Sequence, residues 1–300
     1  MAAQVPDTAF LAPGGAPPLP SLISDRSIRA QRVGRALRLW VPAGVVILLL
    51  VVCFVLPLVV TLPSPTNGNI LDASDPLFSP GHWLGTNEVG VDTFSQVVYG
   101  GQIAFEVSIS VTVIGLIIGS VIGIAAGYFG GWADAVLSRV TDVLIAFPAL
   151  VLALVISEAL GASELHEILA LSVFSIPGLA RVTRGATLVV RDLPYMTAAR
   201  LAGTRGWKVV LRHVIPNIVP GIVTFSLLGV AVTMVLEGAL DYLGYGVPPP
   251  TATWGYMIFQ GSTVLSAQPQ YVLVPAIVLL IAVASLNMLG DALRERWGVQ

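Results

Sequence analysis

The sequence predicts an all-α integral membrane protein with six transmembrane helices. Three observations carry this prediction. The chain is 55% hydrophobic and only 11% charged, it holds six apolar runs of spanning length, and its basic residues all fall on one side of the membrane those runs imply. A soluble domain carries roughly 25% charged residues. A chain this poor in charge, with mean hydropathy +0.86, cannot cover a water-facing surface and needs lipid. Cys53 is the single cysteine, so no disulfide within the chain and no thiolate metal site is expected. No nucleic acid partner is expected either, because the 15 basic residues form no dense block.

A helix needs about 20 apolar residues to cross the hydrocarbon. The N-terminal tail, residues 1–39, is read as cytoplasmic, and its first 25 residues, rich in Pro, Gly and Ala, read as disordered. The first run, 40–62, follows Arg26, Arg29, Arg32, Arg35 and Arg38. It is too long for a signal peptide and has no small-residue cleavage site, so it is kept as a span, 41–62. The others are 107–129, 136–158, 166–182, 217–240 and 271–290. Pro42 suits a helix start. Pro57, Pro148, Pro177 and Pro275 lie inside or near spans, where neighbouring helices satisfy the freed carbonyls. Residues 63–104 form an extracellular loop, 105–291 a transmembrane domain and 292–300 a C-terminal tail.

Five basic residues precede the first span and Arg139 begins the third. Seven (Arg181, Arg184, Arg191, Arg200, Arg205, Lys208 and Arg212) lie between the fourth and fifth, and Arg294 and Arg296 follow the last, which accounts for all 15. Segments 63–106, 159–165 and 241–270 contain none. With six spans and an internal N-terminus, every cation is cytoplasmic, and so are both termini.

No phosphate-binding G-x-x-x-x-G-K-[ST], no H-E-x-x-H and no G-x-S-x-G occurs, so no enzyme active site is expected. Gly115, Gly119, Gly123 and Gly127 recur at every fourth residue and line one face of the second span. They form either a tight seam in a transport core or ordinary membrane-helix packing. The inner segment 191–216 carries a short helix from Tyr195 to Ala202, broken by Gly203 and Gly206. A second short helix runs from Trp207 to Val214 and is ended by Pro216. Ala198, Ala199 and Ala202 give a small, smooth surface ringed by Arg200, Arg205, Lys208 and Arg212. Such a helix–turn–helix suits either docking into a groove on a soluble partner or lying on anionic lipid.

Thr197-Ala-Ala-Arg-Leu-Ala-Gly203 with His213-Val-Ile-Pro-Asn217 resembles the EAA loop of type I binding-protein-dependent ABC importer permeases. Thr197 stands where some branches place Glu, and Pro194 where close relatives often carry an acid. His82-Trp-Leu-Gly-Thr-Asn-Glu-Val-Gly-Val-Asp92 is similar to the H-P-L-G-T-D-x-x-G-R-D motif of the dipeptide, oligopeptide and nickel permeases. Gly127-Tyr-Phe-Gly-Gly-Trp-Ala-Asp134, Asp142-Val-Leu-Ile-Ala-Phe-Pro148, Leu243-Gly-Tyr-Gly-Val-Pro-Pro-Pro250, Trp254-Gly-Tyr-Met257 and Asn287-Met-Leu-Gly-Asp-Ala-Leu-Arg294 are similar to that branch too. Asn87 replaces its usual Asp and Val91 its usual Arg, while Gln96 and Gln102 occupy positions that are often Arg. The second permease of a pair is the nearest likeness.

The resemblance implies a type I ABC importer permease fold whose cytoplasmic coupling helix, around Ala198, Ala199, Arg200, Gly203 and Arg205, sits in a cleft of an ATPase subunit. It implies a second homologous permease subunit, two ABC ATPase subunits that bind ATP and Mg in place of this chain, and an extracytoplasmic solute-binding protein. Membrane lipid surrounds the assembly in a bacterial cytoplasmic (inner) membrane. Dipeptides or oligopeptides are the implied solutes, with nickel complexes next. An ion-coupled secondary transporter is the alternative; it calls for paired acids in mid-span and inverted repeats, and no repeat is read here. Glu237 and Asp241, i and i+4 near the outer end of the fifth span, either line the substrate pathway or reach interfacial water and cap the next segment. Asp142 is expected to pair with Arg139 or with a partner subunit.

Overall fold

The computed structural model describes the backbone of residues 25–298 and the side chains of residues 37–298. The expected disordered tail therefore lies outside the described residues up to Asp25. Of the five arginines that precede the first run, only Arg38 has a described side chain. Two units divide between Leu37 and Arg38. The first is helical from Asp25; the second carries the remaining architecture.

In chain order the helices are α1 (Leu37–Val59), α2 (Thr93–Phe129), α3 (Gly131–Ile145), α4 (Ala149–Leu160), α5 (Glu164–Arg191), α6 (Pro194–Leu201), α7 (Gly206–Tyr242), α8 (Trp254–Ser262) and α9 (Gln270–Trp297). Among the described residues, α1, α2, α5, α7 and α9 are each long and apolar enough to cross a membrane, and α3 with α4 makes a sixth crossing when the bent pair is taken together. No strand occurs among the described residues; the loop before α2 holds only isolated bridges, Ser79 with His82 and Thr86 with Asp92.

Hydropathy understates several helices. The second run, expected from residue 107, starts at Thr93 because Asp92 caps it, its Oδ2 accepting from the Ser95 amide at 2.7 Å. The polar residues that hid this turn are satisfied. The Gln96 Oε1 accepts from the Tyr271 hydroxyl at 2.9 Å, and the Gln102 amide donates to the Cys53 carbonyl at 2.6 Å. The expected continuous span 136–158 is instead broken by 87° between α3 and α4. Pro148, at φ −58° and ψ 126°, has no N–H to continue the ladder and pushes Phe147 away from helical geometry. The fourth run extends well past 182 to Arg191, because Arg181 and Arg184 are held by acids on α3 rather than ending the helix.

Pro216 does not end a helix, contrary to the sequence expectation. Residues Val210–Val214 form one π turn, and the helix then continues through Pro216 and Pro220 to Tyr242. The extra residue in that turn shifts the carbonyl that the proline ring would otherwise strike. The Asn217 side chain donates to the His213 carbonyl at 2.6 Å beside the turn.

The glycine ladder of α2 packs against α5. A Cβ at Gly119 would sit 2.6 Å from the Ile176 carbonyl oxygen, and one at Gly127 would sit 2.8 Å from the Thr187 Cβ. Gly115 and Gly123 face Ser175 and Ala180 in the same way. The ladder is thus a tight seam joining two specific helices, an arrangement that both readings open from the sequence allow. Beside it, Val107, Val111, Ala153, Leu171 and Leu240 bring α2, α4, α5 and α7 together. A larger cluster around Phe105, Met234, Trp254 and Ala282 ties α2, α7, α8 and α9, and the Trp254 indole donates to the Val97 carbonyl at 2.8 Å.

The seam predicts a contrast. Gly119→Val overpacks a site with no room and destabilises by about 1–3 kcal/mol. Gly44→Ala on α1, where the added Cβ meets nothing within 4 Å, is tolerated. The check is the thermal unfolding midpoint of the purified chain in detergent; equal midpoints for both variants would refute the seam.

Candidate functional site: a helical elbow

The elbow is the segment between α5 and α7. Leu193, extended at φ −72° and ψ 145°, turns the chain, and Pro194 opens α6 at a position where its missing N–H costs nothing. The resemblance raised an acid at this position; here proline marks where the helix begins. α6 closes with a Schellman motif: the Gly203 amide donates to the Arg200 carbonyl at 3.0 Å and the Thr204 amide to the Ala199 carbonyl at 3.2 Å. Gly203 takes φ +75° with open space around it. It is therefore required by backbone conformation, not by crowding. Gly206, expected to break the helix, instead opens α7, and the turn is Ala202–Arg205 alone.

One side of α6 is anchored. Met196 is fully buried with Val209, Val214, Leu179 and Ile218, and Ala199 packs against the same cluster. Burying a side chain such as Met196 is worth about 2 kcal/mol. The other side is free: Ala198 and Ala202 are exposed, and Leu201 is 84% exposed. The expected smooth surface of Ala198, Ala199 and Ala202 is thus corrected at one position, since Ala199 turns inward and Leu201 takes its place. Arg200 also folds back, donating to the Arg191 carbonyl at 3.1 Å and lying 5.8 Å from the centre of the Tyr128 ring. Arg205 stays exposed at the start of α7, its carbonyl accepting from the Lys208 amide at 2.9 Å.

Three arginines of α5 fasten this end of the bundle. Arg184 grips Asp134 of α3 with two nitrogens, its Nη2 lying 2.7 Å from Oδ2, the planar fork that favours carboxylates. Arg181 Nη2 lies 2.7 Å from Asp142 Oδ1, so Asp142 pairs across the helices and not with Arg139. Arg191 Nη1 donates to the Gly127 carbonyl at the end of α2 at 2.9 Å. Sequence reading treated these arginines only as markers of orientation. Their partners lie tens of residues away in the chain, which no local pattern reveals.

Glu237 and Asp241 lie at the far end of α7 from the elbow, and both are buried. Asp241 Oδ1 accepts from the Val247 amide at 2.8 Å and so caps the turn after α7, one of the two roles anticipated. Glu237 is fully buried, so in this structure it neither lines an open path nor reaches water. It shares its surroundings with Asp241 and with Glu167 of α5, also buried and missed in the sequence. Glu167 sits in the first turn of α5, where an acid is expected for the helix dipole alone. Glu167 has no hydrogen-bond partner among the described residues, while Glu237 has the Asp241 side chain beside it, and no group of acids, His or Cys among the described residues is arranged to hold a metal ion.

Comparison with known proteins agrees with this architecture. Residues 119–297 match the family described as "Binding-protein-dependent transport system inner membrane component". The chain is 33% identical over 217 residues to the glutathione transport system permease protein GsiD of Pectobacterium atrosepticum, covering 72% of each chain. It is 37% identical over 214 residues to GsiD of Escherichia coli O6:K15:H31, covering 71% of each. Among solved structures, the inward-facing MetNI methionine ABC transporter aligns with a TM-score of 0.56 at 17% identity, over 69% of this chain and 97% of that one. An amino acid ABC transporter solved with histidines aligns with a TM-score of 0.54 at 16% identity, over 67% and 94%. With this match over residues 119–297, five long apolar helices and a bent pair that makes a sixth crossing when taken together, the chain belongs to the family of inner membrane components of binding-protein-dependent transport systems.

Proposed function

We propose that this chain is a permease subunit of an ATP-driven importer of peptide-like solutes, and that its elbow receives the stroke of a separate ATPase subunit. One observation carries the reading: α6 is clamped to the bundle by Met196 on one side and offers Ala198, Leu201 and Ala202, unpartnered, on the other. A short exposed helix with an apolar face fits a groove in another protein. Because α5 runs directly into it and α7 directly out of it, movement of that helix moves both spans.

The relatives that are 33% and 37% identical over 217 and 214 residues are named for transport of glutathione, a tripeptide, which supports a small peptide-like solute here. ATP and Mg belong to the ATPase subunits, and this chain performs no covalent chemistry. A second, homologous permease completes the pore, a solute-binding protein delivers from the outer face, and two ATPase subunits dock from the cytosol. That orientation places the elbow and both termini in the cytoplasm, as the confinement of Lys and Arg to one side supports.

Two outcomes follow. Gly203→Val puts a β-branched residue at a left-handed position, φ +75°, at a cost of about 1–2 kcal/mol, and misplaces the exposed face. It abolishes uptake in whole cells while membrane insertion persists; full uptake would count heavily against a coupling role. In the ion pair of Arg184 and Asp134, the single variants Arg184→Glu and Asp134→Arg each reduce uptake, and the double swap restores it in part. A double variant no better than either single one would show that the pair does not transmit force.

A further inference from the structure

A hollow of 300 Å³ lies where α1 gives way to the loop before α2. Leu56 of α1, Val60 and Leu62 of the chain leaving it, Trp83 of the loop and Phe94 of α2 give it apolar walls. The rings of Trp83 and Phe94 lie 6.4 Å apart, centre to centre, yet Trp83 is 74% exposed. A hollow of this size can hold one small molecule or a short length of chain.

Its place in the bundle limits what can fill it. α2 begins beside the hollow and ends near the elbow, where Gly127 meets Arg191. The hollow is therefore at the end of the bundle away from the elbow. α1 is 23 residues long, or about 34 Å of helix, slightly more than the ~30 Å of hydrocarbon it crosses. Its last turn thus reaches the boundary between acyl chains and headgroups. Only 17% of its apolar stretch is buried, and Leu58 and Val59 stand exposed at its end. In a chain that crosses the membrane, such a surface faces lipid. Leu56, Val60 and Leu62 carry that surface into the hollow.

The loop has the character of an interfacial segment. Ile70, Leu71, Phe78 and Trp83 are all exposed, while segment 63–106 holds no Lys or Arg. Large apolar side chains left in the open mark a surface that meets a membrane or a protein. Tryptophan is favoured at the membrane boundary, where its ring touches acyl chains and its N–H meets headgroups. Charge then narrows the headgroup. Asp92 is the one charged residue lining the hollow, with Oδ1 2.8 Å from His82 Nδ1. Asp72, Asp75 and Glu88 lie elsewhere in the loop. An anionic headgroup meets these carboxylates and no Lys or Arg; a zwitterionic one brings an ammonium to them.

We propose that the hollow between the end of α1 and the loop before α2 binds the upper acyl carbons of one phospholipid with a zwitterionic headgroup, and that Trp83 forms its rim. The lipid's contacts bridge α1, the loop and the first turn of α2.

The test uses the full chain, purified in detergent with the subunits that accompany it. The probe is phosphatidylethanolamine with a photoactivatable diazirine early in one acyl chain, supplied at one lipid per chain. Peptide mapping by mass spectrometry is expected to find label in residues 56–63 and 83–94. Its density there should be at least fivefold that around Leu280 of α9, which is also exposed. Phosphatidylglycerol carrying the same diazirine is expected to label the two stretches at least threefold less. Val60→Trp, which fills the mouth, is expected to cut labelling of 83–94 at least fivefold. Label spread evenly over the exposed helix faces would mean ordinary surrounding lipid only and would overturn the proposal. Equal or stronger labelling by phosphatidylglycerol would also overturn it. So would a Val60→Trp chain that loses an accompanying subunit while 83–94 stays labelled, since the hollow would then be a protein interface.

Discussion

The close approach of α2 to α5 is the constraint on which the rest of the structure depends. At Gly119 and Gly127 no side chain can fit between the helices, so the two backbones meet directly and α5 cannot slide past α2. Dispersion across such a contact is strong because the atoms are near and the interface has no gaps. The Arg184–Asp134 and Arg181–Asp142 pairs add α3 to the same body, and Arg191 ties its lower end to the last turn of α2. α5 thus behaves as a bar with three fastenings, and the elbow is mounted on its end.

The opposite end of the bundle is held by neutral groups. The Tyr271 hydroxyl of α9 joins Gln96 of α2 at 2.9 Å, Gln260 of α8 at 3.1 Å and Asn87 of the preceding loop at 3.3 Å. Asn87 and Gln96 are two of the positions where similar permeases carry Asp and often Arg. Here both charges are absent together, and both amides meet on one hydroxyl. The hydrogen-bonded network is neutral and needs no counter-ion, so this anchor of the loop before α2 is insensitive to salt. His82 Nδ1 lies 2.8 Å from Asp92 Oδ1 and fixes the same loop to the cap of α2. This explains why a loop with so few charges is nonetheless folded onto the helices.

Much of this was legible in the chain. Apolar runs and the one-sided distribution of Lys and Arg located the crossings, because lipid imposes both. The elbow was legible because Gly203 stands where only a left-handed residue ends such a helix. Helix ends were not legible where polar residues are satisfied by distant partners, as Gln96 and Gln102 are in α2. The break at Pro148 and the passage through Pro216 show why proline alone decides little: a π turn absorbs one, and a bend follows the other. Nor could spacing separate Gly119, crowded by α5, from Gly178, which faces open volume. The difference lies in what another helix does, not in the residue or its interval. Glu167 escaped notice for a related reason, since its place in a first turn had a sufficient local explanation.

The central claim is that α5 moves with α2 and α3 as one body while α7 moves against it. Spin labels at Val189 on α5, Val136 on α3 and Val219 on α7, all exposed, would report this in the complex with its ATPase subunits. The account predicts that the distance from 189 to 219 changes between nucleotide-free and ATP–vanadate-trapped states, while that from 189 to 136 stays constant. A constant distance between 189 and 219, or an altered one between 189 and 136, would contradict it.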